Sequence, residues 1–346
     1  MRGLVMKRRE LETGDVLKRG EWALMKRRRR GDVRASVAIL LLILVSACGG
    51  VGKDSSQSDR RDSSASSSSS ETERAPQRII SLSPSATEIL YGVGAFGRVV
   101  AVSDYCDYPA EVKNLPRVGG WNNPNLEQIA ALRPDLVVFA EAQSQFVKDK
   151  IEALGIRALS IPSNTLEDAF TSIEEIGRAT KTEREAGRLL AETRAEIDDV
   201  RARTRDLPRR RVLCVVDRVP GTLRDLYAAT EGSFIAQLVD VAGGESIAPS
   251  ATSGWGKITK EAVVALDPEV IIDMVQSPQG KFAEDPQAVW RELPTVRAIR
   301  DGRIHQIRDT SVIHPSQFVG NTARRFAEII HPEAFAKTAA TSDAPR

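Results

Sequence analysis

The 346-residue chain is short of cysteine, histidine, aromatic residues and long apolar runs. Three cysteines, Cys48, Cys106 and Cys214, are too few for a disulfide framework. Three histidines, His305, His314 and His331, argue against a multi-histidine metal cage. One apolar run, around Val37 to Val45, is long enough to matter at a membrane, and a single run excludes a multi-pass fold. There is no G-x-S-x-G, no H-E-x-x-H and no P-loop. Gly92 to Gly97 fits G-x-G-x-x-G, but it follows a helical pattern and precedes a strand. It therefore reads as a helix end and turn, not as a dinucleotide loop. With 41% hydrophobic and 28% charged residues, the chain is too apolar to be disordered throughout. Its length suits one large domain or two of ordinary size.

Charge is divided unevenly. Residues 1–47 carry a net +7, and the remaining chain a net −5, so the body has no nucleic-acid footprint. Within the N-terminal part, Met25-Lys26-Arg27-Arg28-Arg29-Arg30 is a positive n-region, and the Val37 to Val45 run is an h-region too short to span a bilayer comfortably. Val45-Ser46-Ala47-Cys48 then has the form of a lipobox, against the plainer reading of an ordinary signal peptide followed by a chance cysteine. Residues 1–47 are accordingly expected to be a lipoprotein signal peptide, with Met25 as an alternative start. Residues 48–77 are expected to be a lipidated, Ser-rich tether, because Ser66 to Ser70 and their neighbours cannot bury enough apolar surface to offset the entropy of ordering. These features place the folded body outside the cytoplasm, anchored to a bacterial membrane through Cys48, and away from NAD- or ATP-driven chemistry.

The body reads as α/β. Strands are expected at Arg78 to Leu82, Val99 to Val102, Leu136 to Phe139 and Ala158 to Ile161, separated by helical patterns at Leu126 to Leu132 and Phe146 to Leu154. Ser85 and Glu88 have capping-box spacing. A long helix is expected from Glu183 to Leu207, with Leu189, Leu190, Thr193, Ile197, Val200 and Thr204 forming one stripe and Pro208 ending it. Further strands are expected at Arg211 to Val216, Val270 to Met274 and Ile304 to Ile307. The organisation is a lobe over 78–182, a bridging helix over 183–207, a second lobe over 208–332 and a flexible tail over 333–346.

A repeat at an offset of 134 residues links the lobes. Gly120-Trp121 is answered by Gly254-Trp255, Glu127 by Glu261, and Ala131-Leu132-x-Pro134 by Ala265-Leu266-x-Pro268. Trp is scarce here, so its recurrence carries weight. Each lobe offers a Trp on a loop, then a Glu at a helix start, then a Pro-led buried strand. A Glu in a first helical turn is favoured by the helix dipole whatever else it does. A loop Trp asks for a partner.

Four segments in this order are specific: Arg78 to Glu88, Val102 to Pro109, Gly119 to Glu127 and Ala131 to Leu136. They resemble the vitamin B12-binding protein family, solute-binding components of bacterial ABC importers whose two lobes are joined by one rigid helix. The similarity covers about residues 78 to 331. It implies two Rossmann-like lobes with central parallel sheets, no catalytic activity and no resident cofactor, the cargo being a cobalt corrinoid. It also implies a monomer that serves an ABC permease dimer and its cytoplasmic ATPase. By resemblance, Trp121, Trp255 and Tyr105 are aromatic walls of the cleft, Ser83, Pro84 and Ser85 lie at its edge, and Asp309 is a polar contact. Arg218 and Tyr227 are weaker candidates. Glu127 and Glu261 match glutamates that engage arginines on the permease. Relatives in this class also carry ferric siderophores or haem. The chain departs from the family at Ser311 to Ser316, where an aromatic pair is expected. His314 in that stretch reads either as a ligand to a metal centre in the cargo or as a surface or hydrogen-bonding residue. Cys106 and Cys214 read as free thiols or as a pair. Competing readings are an extracytoplasmic α/β enzyme, for which no nucleophile-base set or metal triad is found, and a binding protein that serves a sensor.

Overall fold

The structure, a computed structural model, describes residues 74–251, 254–275 and 285–335. The signal peptide, Cys48, nearly all of the tether and most of the tail expected at 333–346 lie outside the described residues.

Among the described residues the strands form two sheets. In the first lobe β1 (Ile79–Ser81), β2 (Val99–Val102), β3 (Leu136–Ala140) and β4 (Ala158–Ile161) are all parallel, in the order β2-β1-β3-β4. In the second lobe β5 (Arg210–Asp217), β7 (Gly244–Ser246), β9 (Val270–Asp273) and β10 (Ile304–Gln306) repeat that winding as β7-β5-β9-β10, again all parallel. Continuous buried runs such as Leu136–Ala140 and Val270–Asp273 are what parallel strands covered on both faces require.

The second sheet departs from the expected purely parallel form. Two added strands make the sheet mixed: β6 (Leu226–Ala229) pairs antiparallel with β5, and β8 (Trp255–Ile258) pairs antiparallel with β6 at the edge. They are short, and β8 contains Gly256, where a Cβ would sit 2.8 Å from Thr230. Trp255 therefore opens an edge strand rather than lying on a loop, because its backbone pairs with Ala229.

The bridging helix runs Glu183–Thr204. It stops three residues short of Leu207, where the Thr204 hydroxyl donates to the Val241 carbonyl at 2.7 Å. Its stripe is as expected, with Thr193, Ile197, Val200 and Thr204 buried. Leu189 and Leu190 pack on the first lobe's core, and Ile197 and Val200 belong to the second lobe's core. A 15-residue helix, Leu166–Thr180, which sequence reasoning did not name, runs beside it. Gly177 meets Ala186 where the two helices cross, so closely that a Cβ at 177 would lie 2.4 Å from the Ala186 Cβ. This helix too spans both cores, through Leu166, Ala169 and Phe170 at one end and Ile173, Ile176 and Ala179 at the other. The Thr165-x-x-Asp168 capping box is the sequence signal that announces it.

Candidate functional site

In open α/β sheets, ligands collect outside the carboxyl ends of strands, where neighbouring strands send their helices to opposite faces. β1 and β3 meet this condition. The helix Pro84–Gly92 after β1 joins one core, and the helix Ser144–Ala153 after β3 joins the other. Gln143, fully buried, sits across the crevice between them. Its Nε2 donates to the Leu82 carbonyl and to the Trp121 carbonyl, both at 3.1 Å, and its Oε1 accepts from the Ala140 N–H at 3.0 Å. One side chain thus ties the Trp121 loop to the ends of both strands. Sequence reasoning missed it, since a glutamine after a buried strand carries no motif.

Tyr105 lies on the same side. Arg117 donates to the carbonyls of Ser103 and Cys106 at 2.8 and 2.5 Å, and Asp104 donates its N–H to the Gly119 carbonyl at 3.0 Å. These bonds shape a loop that leaves Tyr105 59% exposed, with its ring about 3.7 Å from where a Cβ on Gly120 would be. Tyr105 and the Gly120-Trp121 turn are therefore neighbours. Trp121 is half-buried.

Ser83, Pro84 and Ser85 are buried. Ser83 is the N-cap of the following helix and accepts from the Ala86 N–H at 3.3 Å. The Ser85–Glu88 capping box is not formed, because the helix starts at Pro84 and its third residue is Ala86. Glu88 instead faces the second lobe.

In that lobe Trp255 packs edge-on against Phe234, with ring centroids 6.0 Å apart. Phe234 donates its N–H to the Asn164 carbonyl of the first lobe at 2.8 Å, and Leu166 donates its N–H to Gln237 Oε1 at 2.6 Å. This is one seam between the lobes. The other is formed by the segment from Thr310 to Phe318. There the Thr310 hydroxyl donates to Asp107 at 2.7 Å, His314 Nδ1 lies 2.6 Å from Glu88, and Phe318 meets Tyr108 edge-on at 5.1 Å. His314 is thus a hydrogen-bonding residue between lobes, not an exposed surface residue.

Arg218 is only 3% exposed. Its guanidinium donates to Asp273 at 3.0 and 3.1 Å, and Trp290 Nε1 donates to the same oxygen at 2.9 Å. This buried cluster joins the ends of β5 and β9, the counterpart of the β1–β3 crevice, and fills it. Tyr227 is exposed on β6 opposite Lys257. Asp309 caps the 3₁₀ turn Thr310–Ile313, accepting from the Ser311 N–H at 3.0 Å. It also lines a cavity of about 640 Å³ between β10 and the helix Val319–Ile330, whose lining includes neither tryptophan.

Glu127 and Glu261 each occupy the second position of a short helix, Leu126–Ala131 and Lys260–Leu266, capped by Asn125 and Thr259. Their equivalence is structural as well as sequential. Glu261 is held below the usual carboxylate range by helix-terminal backbone hydrogen bonding and by the Thr259 hydroxyl. Cys106 and Cys214 are separate buried thiols, one in each lobe, and burial raises both pKa values. Among the described residues no group of three His, Cys, Asp or Glu side chains is placed to hold a metal ion.

Residues 79–310, which span both lobes, match the model of the periplasmic binding protein family. The chain belongs to the periplasmic binding protein family. This periplasmic binding protein is 28% identical over 270 residues to an uncharacterized ABC transporter substrate-binding lipoprotein of Bacillus subtilis, covering 76% of this chain and 82% of that one. It is 28% identical over 225 residues to a vitamin B12-binding protein of Pectobacterium atrosepticum, covering 65% and 80%. A periplasmic heme-binding protein from Roseiflexus sp. RS-1 shares the fold with a TM-score of 0.64 at 22% identity, covering 75% of this chain and 99% of that one. The family is one of solute-binding proteins rather than enzymes.

Proposed function

We propose that this chain is the extracytoplasmic substrate-binding component of an ABC importer and that its cargo is a corrinoid held between the lobes. The observation that carries the reading is the duplicated lobe with a Gly-Trp pair at the matching position of each copy, within a family of solute-binding proteins. Trp121 and Tyr105 form the wall of the first lobe, and Trp255 with Tyr227 the wall of the second. Large rigid aromatics suit a flat macrocycle, since they supply contact area at little entropic cost. Asp309 is a polar contact at the cleft's end. Ser83, Pro84, Ser85 and Arg218 act from behind, as buried supports of the two walls. Glu127 and Glu261 dock the two lobes on a two-fold permease, where rim charges orient more than they add affinity. Lipidation of Cys48 tethers the protein to the membrane.

Ferric siderophore or haem is the alternative cargo, and the shared fold of the heme-binding relative supports keeping it. Titration of Trp fluorescence with cyanocobalamin, hemin and a ferric siderophore tests the reading. Saturable quenching by cyanocobalamin, lost in Trp121→Ala and Trp255→Ala, is expected. Quenching by hemin or siderophore alone replaces the cargo and keeps the transport role.

A further inference from the structure

Glu88 is 1% exposed, and a buried carboxylate costs several kcal/mol unless it is paired and hydrogen-bonded. All of the polar partners found for it across the lobe boundary lie on one segment. His314 Nδ1 is 2.6 Å from Oε1, and the Ser316 hydroxyl donates to Oε2 at 2.5 Å. Gln317 Nε2 donates to the Glu88 backbone carbonyl at 2.9 Å. Helix stability asks for none of this, because Pro84–Gly92 is already capped by Ser83 and packed through Ala86, Ile89 and Leu90.

The two elements joined in this way both lead to the cleft. The helix bearing Glu88 starts at Pro84, capped by Ser83 two residues after β1. The segment bearing His314 starts after Asp309. Thr310 is tied to Asp107, two residues from Tyr105, and Phe318 to Tyr108, three residues from it. The Tyr105 loop is thus fastened to the segment after Asp309 by contacts that flank the Glu88 clasp on both sides. We infer that Glu88 is a positioning residue for solute capture: its clasp on His314 and Ser316 fixes the spacing of the two cleft walls. This rests on the proposed reading that the cargo lies between the lobes.

The test uses the full chain as wild type, Glu88→Gln, Glu88→Ala, His314→Ala and the Glu88→Ala/His314→Ala double variant. Cyanocobalamin, hemin and a ferric siderophore are the probes, with thermal unfolding followed in parallel. His314→Ala, which removes one hydrogen bond of the clasp, is expected to weaken capture about tenfold, and Glu88→Ala, which removes that bond and the one from Ser316, at least as much. The double variant should be no weaker than the worse single one, because both act through one contact. Glu88→Gln should recover most of the affinity, since an amide still accepts from Ser316 and pairs with His314. Variants that unfold earlier yet bind like wild type would overturn the inference. Wild type that binds no probe would instead overturn the cargo reading, and hydrogen exchange then decides on Glu88 alone. In Glu88→Ala, amides of 85–92 and of 310–318 should lose protection together. Loosening of only one segment would sink the positioning role.

Discussion

Asp135 and Glu269, 134 residues apart, close their lobes in the same way. Asp135 accepts the Arg78 N–H at 2.9 Å and donates its own N–H to the Arg78 carbonyl at 3.0 Å. Glu269 accepts the Arg211 N–H at 2.9 Å and donates to the Arg211 carbonyl at 2.9 Å. The two arginines then reach the carbonyls of Leu132 and Leu266, another pair at the same offset. Arg133 and Asp267, between helix and strand, both take a left-handed backbone, with φ of 46° and 41°. The duplication therefore extends to a reciprocal hook in which Asp in one lobe and Glu in the other serve as equivalent acceptors.

This hook has an acid dependence. The Arg211 N–H donated to Glu269, helped by Arg297, holds its carboxyl below the usual carboxylate range. The folded state thus binds that proton less readily than the unfolded chain. The stability it contributes is present at neutral pH and is lost as pH falls through and below the ordinary carboxylate range. Denaturant unfolding at pH 7 and pH 4 should show wild type losing more stability on acidification than Glu269→Gln. Equal losses would show that the hook is not a titrating contact.

Much of this was legible in the sequence, for a physical reason. Buried parallel strands such as Leu136–Ala140 read as apolar runs, and the bridging helix reads from one stripe, because burial on a regular element leaves a period. The 134-residue offset marked the platforms of Glu127 and Glu261, because a cap, a helix and a strand together leave a pattern. β6 and β8 were missed because Leu226–Ala229 and Trp255–Ile258 hold Ala228, Ala229, Gly256 and Lys257 where the strands that were read have runs of Val, Ile and Leu. Gln143 and Arg117 were missed, and Glu88 was read as a capping-box residue, for another reason. Their partners across the fold are 22 to 61, 11 to 14 and 226 to 229 residues away, and no local spacing records such contacts. Arg218 was assigned to the cleft from its place after a strand, whereas its partner Asp273 lies 55 residues on.

Removal of Gln143 should separate support from contact at the first lobe's wall. Gln143→Ala leaves the Ala140 N–H and the Leu82 and Trp121 carbonyls without their partner in a buried place. Each buried group left unsatisfied costs about 1–3 kcal/mol, though water entry into the space reduces the sum. Chemical denaturation should show destabilisation in that range, and Trp fluorescence of the folded variant should shift as the Trp121 loop moves. An unchanged spectrum would mean that Gln143 does not hold the loop.

The Arg218–Asp273 pair should behave as a core element. Breaking a buried ion pair from one side leaves the other charge uncompensated and costs about 3–5 kcal/mol. Arg218→Met is therefore expected to destabilise strongly, while Arg218→Met with Asp273→Leu should recover part of the loss, less the Trp290 Nε1 and Val275 N–H hydrogen bonds that go with the carboxylate. If Arg218 contacts cargo directly, the double variant will be stable but will fail to bind. If it only supports the wall, the double variant will bind.

Charge reversal at the two platforms should separate capture from delivery. Glu127 and Glu261 are at the second position of capped helices, so each is presented by a rigid start rather than a loop. Glu127→Arg and Glu261→Arg put a cation at a helix N-terminus, a small, solvent-screened loss that is too little to unfold the chain. Binding of cargo in solution should be unaffected, because neither glutamate lies on the proposed aromatic walls. Transport with the cognate permease in vesicles should fall with either variant and be abolished by both, since a two-fold partner meets the two lobes at equivalent points. Transport that survives the double reversal would remove the glutamates from docking and favour a binding protein that serves a sensor.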